Sequence, residues 1–159
     1  MVLTPVWKTG DWRKLVGVRF LLLPPINNCM KKVFVNGTFD ILHVAHIDLL
    51  NFAKSQGDVL IVGIDSDERV KKLKGETRPI NNQFERLHLL RNLKSVDEVF
   101  VFSTDQELID LIRDCDIMVK GSDYENKPII GSEFIPIIFY EYKDGWSTTK
   151  KIEYITGRR

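Results

Sequence analysis

The sequence predicts an α/β domain: a doubly wound parallel sheet of five strands with helices on both faces. Three observations predict it. From Lys32 onward short apolar runs alternate with helical patterns, each run has strand length and strand composition, and polar clusters follow several of the runs. The first strand is expected at Val33-Phe34-Val35, rich in β-branched and aromatic residues. A helical pattern follows, with Ile47, Leu50 and Ala53 spaced to form one apolar side. The second strand is Val59-Leu60-Ile61-Val62. The stretch from Lys71 to Pro79 breaks the pattern with charge, Gly75 and Pro79, and reads as an exposed loop. Asn82 with Glu85 has capping-box spacing, in which each side chain satisfies an amide left unpaired at a helix start, and Phe84, Leu87, Leu90 and Leu93 give that helix its apolar side. Val99-Phe100-Val101-Phe102 is the third strand, and Thr104 with Glu107 is a second capping box. Ile117-Met118-Val119 and Ile135 to Tyr140 are the fourth and fifth strands.

A chain of 159 residues is one domain long and buries a core without metals or disulfides. Its 23 basic and 22 acidic residues leave a formal net charge of +1 with no basic stripe, so small anions are the expected partners and nucleic acid is not. Cys29 and Cys115 are far apart and outside any metal-ligand spacing, which argues against a disulfide framework or structural zinc and makes a reducing cytoplasm the expected compartment. Residues 1–30 read differently, with Trp7, Trp12, Pro5, Pro24 and Pro25 and no period. The run Leu15 to Leu23 is interrupted by Gly17 and Arg19 and is too short to span a bilayer, so no membrane partner is expected. Residues 1–30 are therefore expected to be an extension, with the functional domain in 31–159.

In open α/β sheets ligands sit beyond the carboxyl ends of the strands, near the point where strand order reverses. Four polar clusters lie after strands or in the long loop: Asn36 to His46, Lys71 to Arg78, Lys120 to Tyr124, and Gly145 to Thr149. In the first, Gly37-Thr38-Phe39-Asp40-Ile41-Leu42 leads to His43-Val44-Ala45-His46 at a helix start. Histidines three apart share a helical face, and at a helix N-terminus they join free amides and a partial positive dipole. Two imidazoles placed there suit a polyphosphate, stabilising growing negative charge without a covalent enzyme intermediate. Each cluster also has a purely structural reading: buried or surface histidines, a solvated lysine loop, and Thr148, Thr149 and Asp123 as caps of a helix or turn.

Gly37 to Leu50 (GTFDILHVAHIDLL) resembles the signature of the cytidylyltransferase-like superfamily, G-[TC]-F-D-x-x-H-x-G-H on a Rossmann-like fold. The likeness continues in the family's order through Arg78 to Asn81, Glu85 and Arg86, Val119 to Tyr124 and Trp146 to Ile152, covering the chain from about Lys31 onward. Within the superfamily the heptose 1-phosphate adenylyltransferases are most similar, through KLKGETRPIN and VKGSDY, with glycerol-3-phosphate cytidylyltransferase a near rival through its STT segment.

The resemblance implies a nucleotidyltransferase that joins a nucleoside monophosphate from an NTP, ATP favoured, to a sugar phosphate and releases pyrophosphate. It implies catalytic roles for His43, His46 and Lys74, and nucleotide contacts for Gly37, Thr38, Phe39, Asp40, Lys120, Gly121, Asp123, Tyr124, Ser147, Thr148 and Thr149, with Arg86 ordering the site. Mg²⁺ is expected to arrive with the NTP rather than on protein ligands, and a homodimer is implied. One departure stands out: the glycine of H-x-G-H is Ala45 here, whose methyl lies where a backbone could close on the nucleotide. Two alternatives stay open, a glycerol-3-phosphate cytidylyltransferase using CTP and a nucleotide-binding module without catalysis. A P-loop kinase is disfavoured, because no G-x-x-x-x-G-K-[ST] run occurs.

Overall fold

The computed structural model describes residues 30–141 and 148–157. Its strands are β1 (Lys32–Gly37), β2 (Val59–Asp65), β3 (Glu98–Phe102), β4 (Ile117–Gly121) and β5 (Ile137–Tyr140). Its α-helices are α1 (Val44–Ser55), α2 (Asp67–Lys74), α3 (Gln83–Arg91), α4 (Asp105–Arg113) and α5 (Thr148–Thr156). The five strands form one sheet in the order β3-β2-β1-β4-β5, and every neighbouring pair is parallel. The chain winds outward from β1 through β2 to β3, then crosses back to place β4 against the other side of β1. The switch point therefore lies between β1 and β4, in the Rossmann-like arrangement the sequence predicts.

Alternate residues of each strand face opposite sides, and both sides are covered. Val33, Val35, Leu60, Val62, Val99 and Val119 meet Leu49, Leu50 and Ala53 of α1 and Leu90 of α3. On the other side Phe34, Ile61, Phe102 and Met118 meet Leu108 and Ile112 of α4, with Ile129, Ile135 and Ile137 packed at the margin. Burial of each large aliphatic or aromatic side chain contributes about 1.5 to 3 kcal/mol before the entropy of ordering is subtracted.

Both capping boxes form. Asn82 Oδ1 accepts from the amides of Phe84 and Glu85 while Glu85 returns to the Asn82 amide, and Thr104 Oγ1 accepts from the Glu107 amide while Glu107 returns to the amides of Ser103 and Thr104.

Three sequence-based expectations need correction. Lys71, Lys72, Leu73 and Lys74 are not loop: they complete α2, which is capped at Ser66, whose hydroxyl accepts from the Arg69 amide. Acidic residues at the start of α2 and lysines at its end complement the helix dipole, which supports a helix that buries only Val70. The loop is confined to the residues after Gly75, whose φ of 95° ends the helix in a conformation glycine adopts without cost. Phe84 is 72% exposed and leaves the apolar side of α3 to Leu87 and Leu90, with Arg86 fully buried beside them. The fifth strand begins at Ile137, after Pro136 has accepted from the Met118 amide.

Candidate active site

The loop between β1 and α1 carries the first group of site residues. Phe39 takes a positive φ of 50°, uncommon for a residue with a side chain, and its ring is buried against the site floor. Gly37 allows this, since a β-carbon there would come within 3.3 Å of the Phe39 ring. The same ring lies 5.1 Å from that of His46. His43 is the N-cap of α1 with extended backbone, and its side chain makes no capping bond. Its ring is instead stacked on His46, with centroids 3.8 Å apart and planes 19° from parallel. Nδ1 of each is buried without a hydrogen-bond partner among the described residues. Such groups cost free energy unless a ligand or solvent satisfies them, so their position at the opening of a helix marks a place for an acceptor-rich anion.

The electrostatics agree. Burial, then the charges of His43 and Lys74, lower the pKa of His46 to about 3. His43 is lowered by burial and by Lys151 of α5. Lys74 at the end of α2 is itself lowered, by loss of hydration first and then by Arg78, although its side chain as a whole is exposed. Positive charge from α2 and α5 thus converges on the two rings, and a bound polyphosphate would relieve that repulsion.

Two buried charged residues hold this arrangement. Asp40 is 2% exposed, and its carboxylate accepts from Arg78 Nε at 2.7 Å and from the amides of Ile80 and Asn81 at 2.8 Å each, while Asn81 Nδ2 donates to the Asp40 carbonyl. These bonds fasten the segment after α2 to the loop after β1. Arg86 donates Nη1 to the Thr38 carbonyl at 2.8 Å, Nε to the Asn81 carbonyl at 3.0 Å and Nη2 to Asp67 at 2.7 Å. One planar guanidinium therefore ties the β1 loop, the Arg78 to Asn81 segment and the start of α2 together. Both residues act here on protein groups, as positioning residues.

A second group gathers at the end of β4. Lys120 is 7% exposed, and its Nζ donates to the Asn36 carbonyl at 3.4 Å and lies 5.0 Å over the Tyr124 ring. Burial lowers its pKa to about 8 against the opposing charges of Asp65 and Asp123, and Tyr124 is raised by burial and the same carboxylates. Gly121 ends the strand and Asp123 and Tyr124 lie in a single 3-10 turn after it. Thr148 and Thr149 open α5, whereas Ser147 lies outside the described residues.

Sequence reasoning missed Asp65, which accepts from Thr38 Oγ1 at 3.2 Å and from Arg69 Nε at 2.9 Å, and it set Asn36 at the head of the first polar cluster without giving a role to its Oδ1, which is buried without a partner among the described residues. The available signal was their place as polar residues at the carboxyl ends of two adjacent strands. Among the described residues no three His, Cys, Asp or Glu come together as metal ligands, and no helix is long and apolar enough to cross a membrane.

A parallel sheet with this strand order thus carries a histidine pair at its first helix and a second polar cluster across the switch point. The cytidylyltransferase-like family model matches residues 34–151, and the chain belongs to that family. It is 51% identical over 130 residues to the bifunctional protein HldE of Sulfurimonas denitrificans and 49% identical over 138 residues to that of Aliarcobacter butzleri, covering 80% and 84% of this chain. Against HldE of Campylobacter jejuni it is 42% identical over 157 residues, 96% of this chain. The chain spans between 27% and 34% of the length of these relatives. Among solved structures, a lipopolysaccharide core biosynthesis protein from Thermoplasma volcanium is similar with a TM-score of 0.57 and 27% identity, over 74% of this chain and 99% of that one. A protein from Archaeoglobus fulgidus, 18% identical with a TM-score of 0.57, shares the fold.

Proposed function

We propose that the chain transfers AMP from ATP to a sugar phosphate, with heptose 1-phosphate as acceptor, and releases pyrophosphate. The observation that carries the reading is the stacked His43 and His46 pair, held at the start of α1 with both Nδ1 atoms unpartnered among the described residues and positive charge converging on it. The acceptor is chosen on the likeness to HldE, whose relatives match most of this chain.

An ionised phosphate oxygen of the acceptor attacks the α-phosphorus in line. The new phosphorus–oxygen bond forms as the bond to the bridging oxygen breaks, and pyrophosphate carries the electron pair away. The attacking oxygen needs no general base because it is already anionic near neutral pH. His43, His46 and Lys74 stabilise charge that grows on the triphosphate, and contacts that strengthen in the transition state raise turnover more than affinity. Thr38 and Phe39 offer loop backbone to the α-phosphate region, Gly121, Asp123 and Tyr124 flank the base and ribose, and the hydroxyls of Ser147, Thr148 and Thr149 serve the phosphates. Mg²⁺ bound to the NTP would neutralise its β and γ oxygens.

Pyrophosphate release measured with ATP and CTP against heptose 1-phosphate and glycerol 3-phosphate tests the proposal. Release with ATP and heptose 1-phosphate alone is expected. Release only with CTP and glycerol 3-phosphate replaces it with the cytidylyltransferase reading, and nucleotide binding with no release for any pair replaces it with a silent binding module.

A further inference from the structure

The cations of the site fall into two groups, one around the histidine pair and one at the end of β4, with Asp65 acting on both Lys74 and Lys120. His46 is influenced by His43 and Lys74, whereas the charged groups that act on Lys120 are Asp65 and Asp123. Transfer between two phosphates needs two anion positions, and the histidine cluster supplies one.

Lys120 has the geometry of the other. It stands at the end of β4, and Asn36 stands at the end of β1; the last paired residues of these strands are Phe34 and Met118, each two positions earlier. The Lys120 ammonium therefore reaches the Asn36 backbone at the strand switch, where ligands bind in open α/β sheets. A buried ammonium carries three donors and ordinarily satisfies them with strong acceptors. Among the described residues Lys120 Nζ makes one hydrogen bond, a long one of 3.4 Å to the Asn36 carbonyl, and it also lies 5.0 Å over the Tyr124 ring. On the same residue whose carbonyl Lys120 reaches, the Asn36 Oδ1 is buried with no donor among the described residues. Nearby, Asp65 is committed on one oxygen to Arg69 and on the other to Thr38. A buried cation short of acceptors next to a buried acceptor short of a donor fits a ligand that carries an anion and a hydroxyl on adjacent atoms.

We propose that Lys120 and Asn36 form the acceptor subsite: Lys120 binds the phosphate monoester of the incoming sugar phosphate and Asn36 Oδ1 accepts from a neighbouring sugar hydroxyl. This deepens the reading given above and rests on it. It moves Lys120 from the nucleotide contacts that the sequence suggests to the acceptor side. Tyr124 shields the pair, and its ring face adds to the attraction for the ammonium. Asp65 is held in place by Thr38 and Arg69 and keeps Lys120 charged.

The test compares the whole chain with Lys120→Met, a substitution of similar shape that removes the ammonium and leaves Asp65 still paired with Arg69. Steady-state kinetics with ATP and heptose 1-phosphate are combined with calorimetric binding of ATP alone, and of heptose 1-phosphate to protein loaded with a non-hydrolysable ATP analogue. The expected result is a rise of about 10- to 100-fold in acceptor KM and in its Kd, the size of one lost charged hydrogen bond or slightly more. ATP affinity should stay within about twofold on the same scale, and the unfolding temperature should not fall. Asn36→Ala should raise acceptor KM less and likewise spare ATP.

Weaker ATP binding with unchanged acceptor KM would assign Lys120 to the nucleotide and overturn the proposal. Unchanged binding of both would make it structural and overturn it too. Failure of the wild-type chain to turn over, with heptose 1-phosphate still bound in a Lys120-dependent way, would sink the catalytic reading and keep the subsite. No binding of heptose 1-phosphate to the loaded wild-type protein would sink the subsite itself.

Discussion

The His43 and His46 rings lie 3.8 Å apart and nearly parallel, so the two cannot both become cationic without repelling each other. A bound polyphosphate removes that penalty, most of all when charge builds on the bridging oxygen. His46→Ala is therefore expected to lower kcat by about 10²- to 10³-fold, the usual loss for one preorganised donor at a developing charge. ATP Kd should change by about threefold or less under the same differential-binding argument. Single-turnover rates and equilibrium titrations separate the two, and a parallel loss would remove His46 from transition-state stabilisation.

Burial of the His46 ring, with the neighbouring charges of His43 and Lys74 behind it, fixes a pH dependence of stability. His46 has a pKa of about 3 when folded against an ordinary value of 6.5. Between those values the unfolded chain holds a proton that the folded chain does not, so stability is complete above 6.5 and falls as pH drops toward 3. His43 is shifted in the same direction by burial and Lys151. The slope from His46 is at most about 1.4 kcal/mol per pH unit. Urea denaturation of wild type and His46→Gln across this window should show a flatter acid limb in the variant, carboxylates being common to both. An identical acid limb would mean that the imidazole stays hydrated in solution.

Asp40 and Arg86 are expected to matter through what they hold. Asp40→Ala leaves Arg78, 15% exposed in its side chain, without its partner and frees two amides at once. Loss of one member of such a pair costs about 3 to 5 kcal/mol. Arg86→Lys should fare nearly as badly, since an ammonium cannot span the Thr38 and Asn81 carbonyls and Asp67 as the planar fork does. Denaturant unfolding measures both. A loss of activity at full stability in either variant would argue for direct nucleotide contact instead.

Why some of this was legible in the sequence and some was not has a physical basis. The strands announce themselves because their apolar residues are consecutive and mostly β-branched, as in Val59 to Val62. Asn82 and Thr104 declare their helices because capping is a local interaction, complete within four residues. Helix α2 escaped because it buries only Val70 and its lysines mimic a solvated loop. Phe84 misled because its spacing matched a face that Arg86 in fact occupies. The histidine pair was visible as a motif, yet its stacking was not. Asp65 and the role of Asn36 were invisible because their meaning comes from partners distant in sequence: Asp65 meets Thr38 across 27 positions, and Asn36 meets Lys120 across 84. Sequence spacing carries no information about contacts of that range.

The capping boxes give a contrast between stability and function. Thr104→Ala and Asn82→Ala should each cost about 1 kcal/mol, since each removes one reciprocal cap. Thr104 opens α4 on the face of the sheet away from α1, so its variant should keep its kinetic constants when assayed well below its melting temperature. Asn82 adjoins the Arg78 to Asn81 segment that Asp40 fastens, so its variant should also raise ATP KM by about twofold to fivefold, in line with a sub-kilocalorie shift. Equal kinetic behaviour in the two would detach that segment from nucleotide binding.

Ala45 tests whether the departure from H-x-G-H impairs this chain. It lies in the first turn of α1, is 4% exposed, and is counted among the buried side chains of that helix. Its methyl group therefore faces protein, and the space where a glycine would leave the backbone bare is already filled by the fold. Alanine favours the helical state over glycine by about 0.5 to 1 kcal/mol. Ala45→Gly is accordingly expected to lower unfolding free energy by about that amount and to change kcat and ATP KM by about threefold or less, since the methyl touches no phosphate in this reading. Turnover that climbed by orders of magnitude in the glycine variant would mean that the methyl does obstruct the nucleotide, and that α1 must shift before a triphosphate can seat against His43 and His46.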